Sequence, residues 1–360
     1  MHRPSALTVV VPVHNGAATL GQCLRAIRAS DLPRDAFEII VVDQNSSDAS
    51  KAITARYADT VIRLTTGGAR AAYARNRGVE LGSGDVVAFV DADIMVHPDT
   101  LPRMLTMLRE QVHLQAIVAS HDAKPVARNF ISQYWNLLIR FGERKRDGLG
   151  GNFGSGCAMI RRPTLVLAGM YDEWRFGTGN LEGVELGQRL EAAGHEVLFS
   201  TELEVTQLRR WTAHSVFREV WDRTVLLARS LGYRRTLASM PGEVVFTLTR
   251  AAVPALAILP TAVLSAGFLR EPSWILRASL AAAVPILINL PVLRFYARER
   301  GLLFAIAVLP VHFFYQVVGA VAMCAGWLMG EAVGDRLPDA VTQAYAEVGV
   351  EMWPPVPRQR

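Results

Sequence analysis

Two aspartates one residue apart close a short apolar run, Val86-Val87-Ala88-Phe89-Val90-Asp91-Ala92-Asp93. A run of that length bounded by polar residues predicts a buried strand. The carboxyl ends of strands in open α/β sheets are where ligands bind. Asp91 and Asp93 together offer hard oxygen ligands for a divalent metal, Mg2+ or Mn2+, ions commonly held by one or two carboxylates plus substrate phosphates. The alternative is a plain strand-to-turn cap. Asp43 ends another apolar run and either accepts hydrogen bonds from a base N–H or a ribose hydroxyl, or caps the loop after it. Arg75 lies in a helical stretch before Asp91, where its fork would suit a diphosphate or would face solvent.

The elements that must position these residues alternate. Leu7–Val13 is a β-branched strand, His14-Asn15-Gly16 a turn, and residues 18–30 carry helical periodicity. Phe37–Asp43 is a second buried strand, and Asn45-Ser46-Ser47-Asp48 offers cap residues for a helix beginning near Ala49. Val61–Leu64 predicts a third strand, residues 69–81 a helix closed by Gly82-Ser83-Gly84, and Val86–Val90 a fourth strand. This alternation implies an α/β, mostly parallel, Rossmann-like sheet. Right-handed crossovers put the strand carboxyl ends, with Asp43, Asp91 and Asp93, along one edge.

Four segments in order, Val10-Val11-Pro12-Val13-His14-Asn15, Ile40-Val41-Val42-Asp43-Gln44-Asn45-Ser46-Ser47-Asp48, Ala74-Arg75-Asn76-Arg77-Gly78 and Phe89-Val90-Asp91-Ala92-Asp93, resemble the signatures of family 2 glycosyltransferases with the GT-A fold. The resemblance covers residues 7 to about 211. It implies a nucleotide-sugar donor, with a UDP-sugar expected, a divalent metal on the Asp-x-Asp motif, and inversion at the anomeric carbon. By that match Asp43 contacts the base, Pro12 and His14 line the nucleotide pocket, Asp93 is the more direct metal ligand, and Asp91 holds the ribose or the metal shell. A catalytic aspartate is expected within Gly177–Leu190, but Gly183 occupies its place. Glu182 and Glu185 remain as candidates for the base. Glu182 is favoured because it sits at the loop-to-helix junction, where a helix N-terminus stabilises an ionised carboxylate; both could instead simply complement the helix dipole.

The glycine-rich Gly148–Gly156 loop has no Gly-Lys-Ser/Thr and is therefore no phosphate-binding P-loop. Its glycines would let backbone approach a donor sugar or acceptor, or form a surface loop. Gln207, Arg210 and Trp211 match the Gln-x-x-Arg-Trp motif that membrane-bound polysaccharide synthases of this family carry at the acceptor end of the site. There the Trp face would stack on a sugar ring. The alternative is a basic, aromatic interfacial anchor.

Charge is concentrated in residues 1–240 and sparse in 244–330, in a chain that is 51% hydrophobic. The net charge of +5 and the absence of a dense Lys/Arg run argue against a nucleic-acid partner. The three cysteines share no metal or redox spacing. With no signal peptide before the first strand, the catalytic part (1–211) is expected in the cytosol. Residues 212–243 predict an amphipathic interfacial helix and linker. Residues 244–330 predict a transmembrane region of three helices, 251–269, 274–293 and 302–330. The basic Arg294/Arg298/Arg300 loop is then cytosolic and the 331–360 tail lies outside; two spans would keep that tail inside. This architecture predicts a multi-pass enzyme of the inner or plasma membrane, taking a lipid-linked or polyprenyl phosphate acceptor. The alternatives are a processive polysaccharide synthase and an inactive sugar- or lipid-binding module.

Overall fold

The computed structural model describes residues 6–65, 71–150, 153–154, 156–173, 181–234, 274–333 and 350–352. The chain divides into two compact units, residues 1–211 with 337–360, and residues 212–336.

The first unit begins with β1 (Leu7–Val13), α1 (Leu20–Arg28), β2 (Phe37–Asp43), α2 (Ser50–Tyr57), β3 (Thr60–Leu64), α3 (Ala71–Leu81) and β4 (Val86–Val90). These strands pair in parallel in the order β3-β2-β1-β4. Because the chain jumps from one side of β1 to the other after β3, the switch point lies between β1 and β4. Both faces of the sheet are covered. Val9, Val11, Val41, Ala88 and Val90 enter one core, while Val10, Ile40, Val42, Val87 and Phe89 enter the other. Double burial explains why these strands read as continuous apolar runs.

The remainder is β5 (Ile94–Val96), α4 (Thr100–Glu110), β6 (Leu114–His121), α5 (Phe130–Glu143), β7 (Gly148–Leu149), β8 (Cys157–Arg161), α6 (Arg162–Leu167), α7 (Glu182–Ala192) and β9 (Glu196–Gln207). Here the expected parallel arrangement needs correction. β8 runs antiparallel to both β4 and β6, and β5 runs antiparallel to β9, so this half of the sheet is mixed. The α/β, Rossmann-like class holds.

A further strand, β10 (Val350–Met352), pairs antiparallel with β3 at the sheet edge. Its backbone register, Val350 opposite Leu64 and Met352 opposite Ile62, ties the tail to the sheet that carries Asp43 and Asp91. The expected external tail is therefore corrected. Residues 350–352 lie on the same side of any bilayer as this sheet.

In the second unit, α8 (Ala213–Arg234) packs along the Leu302–Val333 helix, which in turn contacts the Trp274–Arg300 helix. Gly326 and Gly330, four residues apart, permit this approach. A Cβ on Gly326 would lie 2.8 Å from the Ala228 Cβ, and one on Gly330 would lie 2.9 Å from the Arg229 carbonyl oxygen. Small residues at that spacing let helix backbones meet closely. Val216, Val220, Leu227 and Ala228 are consequently buried, so α8 presents its apolar side to protein. Among the described residues one helix, Leu302–Gly330, is long and apolar enough to cross a membrane. The expected second span lies in the first part of the Trp274–Arg300 helix, whose basic residues Arg294, Arg298 and Arg300 follow it. The expected first span, 251–269, lies outside the described residues. The multi-pass expectation thus rests on one such helix here.

Candidate active site

The loops after β1 and β2 are knitted together. Asn15 and Asn45 adopt left-handed backbone, φ 49° and 58°, a conformation asparagine tolerates better than most residues. The Asn15 N–H donates to Ser46 Oγ (2.9 Å), and Asn15 Oδ1 accepts from the Ser47 N–H (2.8 Å). Asp48 accepts from the backbone N–H of both Ala17 and Ser50, each at 2.9 Å, just before the Ala49 cap position of α2. His14 is exposed at this edge and its Nδ1–H donates to the Gln44 carbonyl (2.8 Å). Asp43 is buried, accepts from the Ser46 N–H (3.0 Å) and faces Arg63 at 4.0 Å. The loop-capping alternative is thus realised. Pro12 is buried within β1, opposite Val42, rather than lining an open surface.

One side chain joins the candidates. Arg75, on α3, is buried and donates from Nη1 to Glu182 Oε1 (2.6 Å) and from Nη2 to Asp91 Oδ1 (2.8 Å), with its guanidinium 5.4 Å from the Tyr171 ring centroid. Burial opposes its charge, but Asp91 and Glu182 outweigh that and raise its pKa. The diphosphate contact expected of Arg75 is therefore replaced by two carboxylates. Glu182 opens α7 and is itself buried. Glu185 goes elsewhere: it pairs with Arg189 (2.6 Å), which donates to the carbonyl oxygens of Ala168 and Met170. It fastens α7 to the turn after α6 and leaves Glu182 as the carboxylate joined to Asp91.

Gly183 has a steric reason. A Cβ there would sit 2.8 Å from Gly154 Cα and 2.9 Å from the Phe153 carbonyl oxygen. The glycine-rich segment packs its backbone onto the start of α7 and fills the space an aspartate would need.

Asp93 lies between strands. Its carbonyl accepts from the Leu208 N–H (2.8 Å), and the next residue, Ile94, pairs with Gln207 across β5 and β9. The Asp93 carboxylate makes no hydrogen bond or close ion pair among the described residues. Burial, then the neighbouring Asp91 charge, pushes its pKa up to about 6 against the opposing pull of Arg209 and His121. Two neighbouring carboxylates, of which Asp93 has no close ion pair of its own, suit a hard divalent ion. No cluster of three or more potential ligand side chains occurs among the described residues, so such an ion would take its other ligands from substrate and water.

The Gln-x-x-Arg-Trp residues are only partly as expected. Gln207 is buried and its Oε1 accepts from the Arg209 N–H (3.0 Å). Trp211 is buried against Trp135, ring centroids 5.8 Å apart, and is covered by Arg209 at 4.0 Å. It is packed rather than offered as a stacking face. Arg210 is exposed, and it is Arg209 whose charge reaches Asp93. Sequence reasoning also missed His121, which ends β6 and is gripped by Glu143. An apolar run closing on Ser-His-Asp was the same kind of signal that marked Asp91.

Comparison with known proteins follows this geometry. The sheet and its helices have the GT-A glycosyltransferase fold. The mannosyltransferase PcManGT from Pyrobaculum calidifontis, solved with GDP-Man and Mn2+, superposes with a TM-score of 0.61 at 19% identity, covering 89% of this chain and 88% of that one. Residues 8–166 match the model of glycosyl transferase family 2. Glycosyltransferase AglE of Haloferax volcanii is 34% identical over 101 residues, 27% of this chain and 33% of that one. An undecaprenyl-phosphate 4-deoxy-4-formamido-L-arabinose transferase of Salmonella paratyphi A is 26% identical over 168 residues, 44% of this chain and 50% of that one. The chain thus spans about a third of the length of the first of these curated relatives and half of the second.

Proposed function

We propose that this protein is an inverting, metal-dependent glycosyltransferase that moves a sugar from a nucleotide-sugar to a lipid-linked acceptor at a membrane. The observation that carries the reading is the Arg75 link: one buried guanidinium holds Asp91, at the end of β4, and Glu182, at the start of α7. The family 2 domain, with relatives that include an undecaprenyl-phosphate sugar transferase, supports the reaction class and the acceptor class. The long apolar helix supports the membrane, since it exposes Leu303, Ile306, Phe314, Val321 and Leu328. Exposed apolar area on that scale marks a contact surface.

Asp91 and Asp93 would hold a divalent cation, which would neutralise charge growing on the departing diphosphate. His14 and the interlocked loops after β1 and β2 form the rim for the nucleoside. Glu182 accepts the proton of the acceptor hydroxyl while that oxygen bonds to the anomeric carbon from the face opposite the leaving diphosphate, giving inversion. Arg75 fixes where Glu182 stands relative to Asp91.

A second form of the reaction is favoured by Gly183, whose packing leaves no room for an aspartate base. An acceptor that is itself a lipid phosphate brings an anionic oxygen and needs no proton removed. Glu182→Gln tests the two forms. With a hydroxyl acceptor, kcat falls by about 10^2–10^4 while donor binding holds. With a phosphate acceptor, kcat changes far less. Unchanged turnover on a hydroxyl acceptor would remove Glu182 from the base role.

A further inference from the structure

A reaction that handles a diphosphate, and a lipid phosphate besides, needs donors as well as the three carboxylates Asp91, Asp93 and Glu182, which in ionised form only accept. Arg75, the cation the sequence put forward for phosphate, is occupied by two of them. We propose that His121, oriented by Glu143, is a phosphate-binding residue of this cleft, its Nε2 donating to a phosphate oxygen beside Asp93.

His121 closes β6, and its ring and backbone are both gripped by one side chain of α5. Glu143 accepts the Nδ1–H at 2.8 Å and the backbone N–H of His121 at 2.8 Å. Arg140 donates to the His121 carbonyl and pairs with Glu204 at 2.7 Å, so the backbone is held from the other side as well. A carboxylate bonded to Nδ1 at this distance orients the ring and stabilises the imidazolium, in which Nε2 is a donor as well. Nε2 has no hydrogen-bond partner among the described residues. It lies on the side of Gly156, where a Cβ would be 3.8 Å away, and the Gly156 carbonyl accepts from the Asp91 N–H at 2.9 Å. The ring edge therefore looks toward the Asp91 end of the β4–β8 pair. Burial works against an imidazolium here, and the Glu143 carboxylate bonded to Nδ1 works for it. Asp122, which also acts on His121, is engaged by Thr206 and stands 3.5 Å from His97. The phosphate is that of the nucleoside diphosphate or that of an isoprenyl acceptor, the shared chemistry being a phosphate oxygen within reach of Nε2.

The assignment rests on the transferase reading, and the experiment separates the two. Binding of UDP, of GDP and of farnesyl monophosphate to the full chain in detergent is measured by calorimetry with Mn2+ present. The wild type is compared with His121→Asn, which keeps an amide N–H where Nδ1 stands but removes Nε2, and with Glu143→Gln, which keeps an acceptor for Nδ1–H but removes the charge. The expected result is about a tenfold or greater loss of affinity in His121→Asn for one phosphate ligand at an unchanged melting temperature. A smaller loss is expected in Glu143→Gln. The arm that weakens names the source, the nucleotide or the lipid. If the wild type binds these ligands and both variants match it, the His121 assignment is wrong while the transferase reading stands. If the wild type binds none of the three, both fail.

Discussion

Replacing Arg75 by glutamine tests whether one guanidinium truly ties the end of β4 to the start of α7. The side chains of Arg75 and Glu182 are 11% and 5% exposed, whereas Asp91 is 37% exposed. Breaking a buried pair by removing one partner costs about 3–5 kcal/mol, because the other charge stays buried and uncompensated. The contact to half-exposed Asp91 is screened by water and adds little. The loss should therefore sit near 3 kcal/mol and run almost wholly through Glu182. For a domain of this size each kcal/mol moves the melting temperature by about 2–4 °C, so Arg75→Gln should melt roughly 6–12 °C lower. Adding Glu182→Gln removes the stranded charge and should restore more than half of that. Thermal unfolding of the full chain in detergent, followed by near-UV circular dichroism, reads both variants. A single variant that melts with the wild type, or a double variant that melts lower than the single, would refute the reasoning.

Other consequences can be tested beside it. The Asp93 carboxyl is pushed up to about 6 in the folded protein from an ordinary 3.8, so the unfolded chain gives up this proton first. Stability should then fall by roughly 3 kcal/mol as pH rises through that window, and level off above it. Asp93→Asn should abolish the slope and melt above the wild type at pH 7, as read from melting temperatures at stepped pH. Gly183→Asp, which restores the residue the family resemblance calls for, should destabilise the protein by about 1–3 kcal/mol through contact with Phe153 and Gly154 and should not raise turnover; faster turnover at wild-type stability would contradict the packing account. Tags fused at the two chain ends should be cleaved or protected together in sealed membrane vesicles, because β10 returns to the β3 edge. Opposite protection would break that pairing.

Much of the parallel half was legible in the sequence, because strands buried on both faces announce themselves as unbroken apolar runs. Leu7–Val13, Phe37–Asp43 and Val86–Val90 stand where those runs placed them. Asp43, Asp91 and Asp93 stand at their carboxyl ends for the same reason. What the runs could not convey was partner and direction: β8 is equally apolar whether parallel or antiparallel, and β10 is too short to have a pattern. Side-chain destinations were harder still. Glu185 and Arg189 are four residues apart on α7, a spacing that favours a salt bridge, yet only the fold shows that Arg189 also reaches the carbonyls of Ala168 and Met170. Arg75 looked like a phosphate ligand until Glu182, more than a hundred residues later, proved to be its partner. Gly183 read as a missing aspartate and is, in three dimensions, the condition for Phe153 and Gly154 to close on α7.

The central claim is a metal-dependent transfer from a nucleotide-sugar at the Asp91–Asp93 edge. The most direct measurement is nucleoside diphosphate release from UDP-, GDP- and dTDP-sugars by the full chain in detergent with lipid extract, with and without Mn2+, beside Asp93→Ala. The account predicts release from one donor that requires the metal and disappears in Asp93→Ala. Release that persists in Asp93→Ala, or without any divalent ion, would contradict it.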